Sequence, residues 1–211
     1  PPELCSLSQP AGELSIDISL DVAAHDGVAT TRFTRDVLCS SLPLLRPLVL
    51  VLKQLLASAR LSCGCRGGLS SYALVLMATS ILQQPSSLGG ERHGVGPLLQ
   101  RFLQTFAQTP GPDTRLAVLL DGGSRLHAKL EPRETLGGEA LLVQDPLDAD
   151  NNVGASCFAF HHVQAVFRGA LARLEASLSV PVGEAQQPDL LGRLLDTSAT
   201  EAGSQQGRSS T

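Results

Sequence analysis

The residues best suited to chemistry fall in four places along the chain. The eleven residues from Gln144 to Gly154, QDPLDADNNVG, hold three Asp, two Asn, a Pro and a Gly, a composition that cannot be core. Asp and Asn side chains fold back onto the local backbone, while Pro and Gly fix turns, so the segment is an ordered loop. It is either an acidic surface turn or a recognition loop whose amides and carboxylates are presented for hydrogen bonding. The second place is Gly67-Gly68-Leu69-Ser70-Ser71-Tyr72, at the expected start of an apolar helix. Unpaired N–H groups and the positive end of the dipole suit an anion there, the glycines allow close approach, and Ser70 or Ser71 adds a hydroxyl. Plain capping by Ser70 is the other reading. Tyr72 is the one Tyr in a chain without Trp, so it is the candidate for stacking on a base.

Lys53 is the third. It stands in an otherwise nearly all apolar stretch, Leu48 to Leu56, where its ammonium either snorkels to solvent or meets an anion such as a triphosphate. The fourth is Asp17, on the polar face of a strand. It is either solvated or one carboxylate of a two-metal phosphoryl-transfer site. Such a site needs several oxygen ligands. Asp21 lies four strand residues away, too far to share one ion, so Asp17 cannot hold a metal pair by itself.

These residues need elements to position them. Leu14, Ile16, Ile18, Leu20 and Val22 alternate with polar residues, the period of a half-buried strand. Helices are expected over Ala29–Ser40, from the Pro43 and Pro47 entry through Leu48–Leu61, over Leu69–Gln83 and over Pro97–Gln108. A further one starts near His161 and carries Val163, Val166, Phe167, Ala170, Leu171 and Leu174 on one face. Pro85–Gly96 is expected as a loop, and Pro110–Gly138 as irregular chain with a short strand at Leu116–Leu120. Ala199–Thr211 has the composition of a disordered tail.

The totals narrow the options. With 211 residues, 43% hydrophobic but 3% aromatic, the core must be built from Leu, Val and Ala. The net charge of -4 argues against a broad nucleic-acid-binding surface, so RNA contact would be local or supplied by a partner. The apolar stretches are too short to span a bilayer. Five cysteines without regular spacing are expected as ordinary thiols in a reducing compartment.

In order along the chain, IDISLD (16–21), RPLVLVLKQLL (46–56), GGLSSYALVLMATSILQ (67–83), GVGPLLQRFLQTF (94–106) and QDPLDADNNVGASCF (144–158) resemble the TRAMP-type poly(A) RNA polymerases. These lie within the DNA-polymerase-beta-like nucleotidyltransferases. LLGRLL (190–195) resembles that subfamily's segment after the last helix. The resemblance implies an α+β, mainly helical fold. Residues 1–28 would be a remnant of the catalytic palm, and 29–180 a helical central domain with the PAP-associated region at about 94–152. Residues 181–211 would be a flexible tail. It implies template-independent addition of AMP from ATP to RNA 3′ ends with Mg²⁺ or Mn²⁺, in RNA surveillance and 3′-end processing. Asp17 would be the third metal-binding carboxylate, and Lys53, Ser70, Ser71 and Tyr72 the triphosphate and base-stacking residues. Asp145, Asp148, Asn151 and Asn152 would be the nucleotide-contacting residues of the recognition loop. Asn151 falls where uridylyl-adding relatives tend to carry His, which favours ATP over UTP. A terminal uridylyltransferase and a non-catalytic binding module are the rival readings. The family's Gly-Ser helix and Asp-x-Asp pair are not found before Asp17, so the chain is expected to be a C-terminal portion, inactive alone. Asp26 stands where Asn is usual near the ribose, and Ala155 replaces a common Arg. The resemblance further implies a zinc-knuckle RNA-binding subunit, an exosome-associated helicase and a nuclear or nucleolar location, with the cytoplasm as the other choice.

Overall fold

The computed structural model describes residues 27–84, 94–111, 113–122, 125–132 and 139–179. The strand expected at 14–22, with Asp17, the loop residues 85–93 and the tail from 180 onward lie outside them. The described part is an α+β arrangement in which helices dominate and one small sheet supports the acidic loop.

Helix α1 (Gly27–Arg32) continues as π-helical turns over Phe33–Cys39, where a single regular helix was expected. Helix α2 (Leu45–Ser58) takes Pro47 in its first turn, where the missing N–H costs nothing, and buries Leu45, Leu48, Leu52, Leu55 and Leu56. It closes in a Schellman motif: Leu61 N–H donates to the Leu56 carbonyl (2.8 Å) and Arg60 N–H to that of Ala57 (3.0 Å). Arg60 takes the left-handed position there, φ 58°, so the helix ends before the Leu61 expected from the sequence. Helix α3 (Ser71–Leu82) is buried nearly all round. Its interior hydroxyls are satisfied within the helix, Thr79 on the Val75 carbonyl and Ser80 on that of Met77.

Helix α4 (Val95–Phe106) buries Leu98, Leu99, Phe102, Leu103 and Phe106, the spacing read from the sequence. It packs on α5 (Phe160–Leu178), where the Phe102 ring meets Phe167 edge-on at 5.3 Å. The short strand expected at Leu116–Leu120 is present and two residues longer, and the chain expected as irregular after it returns as a second strand, making a hairpin. Strand β1 (Thr114–Leu120) pairs antiparallel with β2 (Leu126–Pro132), Leu116 opposite Leu130. Strand β3 (Leu141–Val143) pairs with β1 in parallel, Val118 opposite Val143, giving the order β2-β1-β3. The Gln83 side-chain oxygen accepts from Leu126 N–H at 2.7 Å and ties the end of α3 to β2. Among the described residues no helix is long and apolar enough to cross a membrane.

Candidate functional site: a cleft beside the acidic loop

Between α2 and α3 the chain makes a compact turn. The Cys63 and Cys65 sulfurs, expected as separate thiols, are bonded, their Cα atoms 5.5 Å apart and so within disulfide reach. Gly64–Arg66 forms a 3-10 turn, and Gly67 follows in the left-handed region, φ 80°, with the Phe158 ring lying against it. Gly68 presses onto the Leu61 carbonyl, leaving no room for a Cβ. Ala159 N–H donates to the Gly67 carbonyl at 3.0 Å, so the segment after the acidic loop is fastened to this turn. Ser70 then caps α3, its hydroxyl accepting from Ala73 N–H at 3.2 Å. Ser71 and Tyr72 open the helix behind it.

The acidic loop leaves β3 and is closed by its own side chains. Asn152 does most of this. Its Oδ1 accepts from Val143 N–H (2.8 Å) and Gly154 N–H (2.9 Å), and its Nδ2 donates to the Leu141 carbonyl (3.2 Å). Its amide is therefore engaged with the loop and β3. Gln144 bridges Leu120 N–H and the Ala149 carbonyl. Asp148 is exposed, with Oδ1 on Asp150 N–H at 3.1 Å, an Asx turn. Asp145 is the exception to an acidic surface, being only 5% exposed. Its Oδ1 accepts from the Tyr72 hydroxyl (2.8 Å) and Leu147 N–H (2.9 Å), and its Oδ2 from the Asn151 Nδ2 (3.1 Å). A buried carboxylate is tolerable because three donors surround it. Tyr72 is thereby tied to the acidic loop. Burial first, then the hydrogen bond and charge of Asp145, push its phenol well above the ordinary range.

Tyr72 also lines a cleft of about 600 Å³ between α1, its π-helical continuation, α2 and the start of α3. Lys53 and Ser71 share it, so three of the residues singled out from sequence stand around one space. Sequence reasoning missed Arg46, Thr30, Thr31 and Thr34, which line the cleft too. The signal for Arg46 was present. Arg46, Leu50 and Lys53 follow the i, i+4, i+7 spacing of one helix face, and all three are exposed. The threonines carried no such signal, because α1 and its continuation are brought to the cleft by tertiary packing. Lys53 and Arg46 make no ion pair with the described residues, whereas Arg35 on the far wall is paired with Asp36. A cation pair, hydroxyls and an aromatic ring around one cleft suit a ligand that is polyanionic at one end and planar at the other. Among the described residues no group of three or more His, Cys, Asp or Glu is placed to hold a metal ion. Asp17 lies outside them.

No family model matches the chain. Curated proteins do. The chain is 30% identical over 174 residues to poly(A) RNA polymerase protein 1 of Eremothecium gossypii, covering 79% of this chain and 27% of that protein. It is 29% identical over 177 residues to poly(A) RNA polymerase cid14 of Schizosaccharomyces pombe, 80% of this chain and 25% of that protein. It thus spans about a quarter of the length of these relatives. Its fold is that of the polymerase core of TRAMP, an RNA surveillance complex, with a TM-score of 0.62 at 23% identity over 82% of this chain and 55% of that one. The likeness to TRAMP-type poly(A) RNA polymerases suggested by the sequence motifs is therefore present over most of the chain.

Proposed function

We propose that this chain is the nucleotide-recognising part of a template-independent RNA 3′-end nucleotidyltransferase that adds AMP from ATP. The observation that carries this reading is the convergence of Lys53, Ser71 and Tyr72 on one cleft, supported by relatives that are named poly(A) RNA polymerases. Lys53 and Arg46 neutralise the triphosphate, and the Ser71 and Thr34 hydroxyls donate to its oxygens, while the Thr30 and Thr31 hydroxyls are taken up by the Gly27 carbonyl. Tyr72 stacks on the base, held in place by Asp145. Ser70, Asp148 and Asn152 keep the turn and the loop in shape, and Asn151 meets the base edge. The reaction moves AMP from ATP to a 3′-hydroxyl with release of pyrophosphate. Its metal ions, Mg²⁺ or Mn²⁺, would be held through Asp17 and carboxylates outside the described residues, and the described residues themselves supply no metal step. In this reading residues 1–28 belong to the palm, 29–180 to the central domain and 181–211 to a tail. The partners are an RNA 3′ end, a zinc-knuckle RNA-binding subunit and an exosome-associated helicase, and the site of action is the nucleus.

The chain carries its own probe. Tyr72 is the sole Tyr and there is no Trp, so intrinsic fluorescence reports this one position. ATP is expected to quench it with saturation, and UTP to need roughly tenfold more. Fluorescence that stays flat with every nucleoside triphosphate up to about 1 mM would remove the nucleotide reading. Equal response to ATP and UTP would move it to a uridylyltransferase.

A further inference from the structure

We infer that Cys63 and Cys65 form a reversible thiol–disulfide site, which closes or opens the turn leading into α3 as the surrounding thiol pool is oxidised or reduced. The two sulfurs are bonded across a single glycine, with their Cα atoms 5.5 Å apart. The pair is not a structural brace. A cross-link stabilises a fold by removing freedom from the unfolded chain, and it removes more as the closed loop lengthens. A sequence separation of 2 closes a very small loop and ties no two elements together. The turn also has its own backbone closure. The Cys63 carbonyl accepts from Arg66 N–H (3.2 Å) and Gly68 N–H (3.0 Å), Gly67 N–H donates to the Gly64 carbonyl (2.9 Å), and Leu69 N–H donates to that of Leu61 (2.9 Å). The bond can therefore break while the chain stays folded. Access agrees with this. Cys65 is exposed and Cys63 half-buried, so an external thiolate can reach the pair. The other described cysteines differ: Cys39 has no sulfur partner, and Cys157 is buried, its thiol pushed up to about 12 by that burial.

The co-reactant is a small monothiol of the glutathione class. Its thiolate attacks the exposed Cys65 sulfur, forming a mixed disulfide and releasing the Cys63 thiolate, which takes a proton. A second thiolate attacks the glutathione sulfur of that mixed disulfide. The Cys65 thiolate leaves and is protonated, and oxidised glutathione departs. Two glutathione thiols are oxidised to one disulfide as one protein disulfide is reduced to two thiols, and oxidised glutathione drives the same steps backwards. In reducing surroundings the pair rests as two thiols and closes when the pool turns oxidising. The bond acts on a junction. A Cβ at Gly64 would lie 2.8 Å from the Ser156 hydroxyl, the Phe158 ring lies against Gly67, and Ala159 N–H donates to the Gly67 carbonyl. Gly68 leads through Leu69 to the Ser70 cap, and Ser71 and Tyr72 follow at the cleft. The closed pair fixes the Cys63 carbonyl on which Arg66 and Gly68 hang. The open pair leaves those hydrogen bonds to hold the turn alone.

The test equilibrates the full 211-residue chain in glutathione buffers running from the poise of the cytosol to that of the secretory pathway, then quenches with acid and alkylates free thiols. Cleavage after Arg60 and Arg66 releases both sulfurs in one peptide, LSCGCR (61–66), apart from the other cysteines. That peptide is expected to pass from doubly alkylated in the reducing buffer to unalkylated in the oxidising one, and back again, while circular dichroism shows the chain folded throughout. A bond that survives the reducing buffer until the chain unfolds would be structural and overturns the proposal. Two free thiols in every buffer overturn it equally. Amide hydrogen exchange reads the turn. Arg66 and Gly68 N–H are expected to exchange about tenfold faster in the reduced chain. The double variant Cys63→Ser, Cys65→Ser should exchange at the reduced rate in every buffer. Equal protection in the two redox states overturns the coupling of the pair to the turn. A last arm rests on the nucleotide reading of the cleft. ATP, followed by Tyr72 fluorescence, should bind roughly threefold more weakly to the reduced chain, whose turn is less preorganised. Unchanged affinity overturns the reach of the switch into the cleft. Absence of ATP binding in both states overturns the nucleotide reading, and the peptide and exchange results still decide the redox site.

Discussion

The two sides of the cleft are built differently. On one side Ser71 and Tyr72 line the cleft as the edge of a closed hydrogen-bonded unit, made by the Gly67–Tyr72 turn and, behind it, the acidic loop. Asn152 and Asp145 are saturated by their neighbours, and Ala159 is fastened to Gly67. On the other side α2 presents Arg46 and Lys53 to solvent without an ion partner among the described residues, flanking an exposed Leu50. On the proposed nucleotide reading, the difference follows from what each side would meet. A planar base is recognised by atoms already in position, because a buried polar group that waits unpaired is expensive. A triphosphate is flexible and strongly charged, and long exposed cations can wait in water at little cost and close on it. On that reading the hydrogen-bonded wall should matter to folding, and the wall carrying Arg46 and Lys53 to binding.

The largest effect expected from this contrast is at Gly68. A Cβ there would run into the Leu61 carbonyl and lie 3.0 Å from that of Cys63, both of them backbone. Gly68→Ala should cost about 3 kcal/mol through overpacking, lowering Tm by on the order of 10 °C. Calorimetry that finds the variant as stable as the wild type would mean the turn is not a rigid unit. Lys53→Ala tests the other wall. Its stability should stay within about 0.5 kcal/mol of the wild type, while ATP affinity falls roughly tenfold, about 1.4 kcal/mol. A destabilised Lys53→Ala with normal ATP affinity would reverse the assignment of the two walls.

The contrast also marks what could be read from the sequence. Helices α2 to α5 were legible because their apolar residues recur at helical spacing, and the acidic loop because its composition excludes core. The first strand of the hairpin was read at Leu116–Leu120, but the second was missed although Leu126, Ala128 and Leu130 alternate with His127, Lys129 and Glu131, a period-two signal shortened by flanking polar chain. Ser70 read first as a cap and second as a ligand, and the geometry of Ala73 N–H bears out the cap. The loop's acidity was the least reliable guide. Among its carboxylates Asp145 is buried, and no local pattern distinguishes it from Asp148 and Asp150, because its partner Tyr72 lies 73 residues away. Long-range pairing of this kind is invisible to spacing.

The smallest expected effect tests the joint between the two regions, since Tyr72 belongs to both the turn and the cleft. Its phenol is held above the ordinary value of about 10, first by burial, then by the Asp145 hydrogen bond and charge. The folded chain thus grips the proton harder than the unfolded chain. The resulting stability is fully present below about pH 10 and is lost only as pH rises toward the folded value. Tyr72→Phe should cost about 1 kcal/mol at neutral pH, the worth of one hydrogen bond, and should blunt the alkaline loss. Phenolate absorbance reads the single tyrosine directly. In the wild type it should appear well above the ordinary range for as long as the chain is folded. In Asp145→Asn the midpoint should fall but stay above the ordinary value, because burial is the larger cause. A folded wild type that titrates at the ordinary value would show that Tyr72 is not joined to Asp145 in solution, and the rigid wall would then end at Ser71.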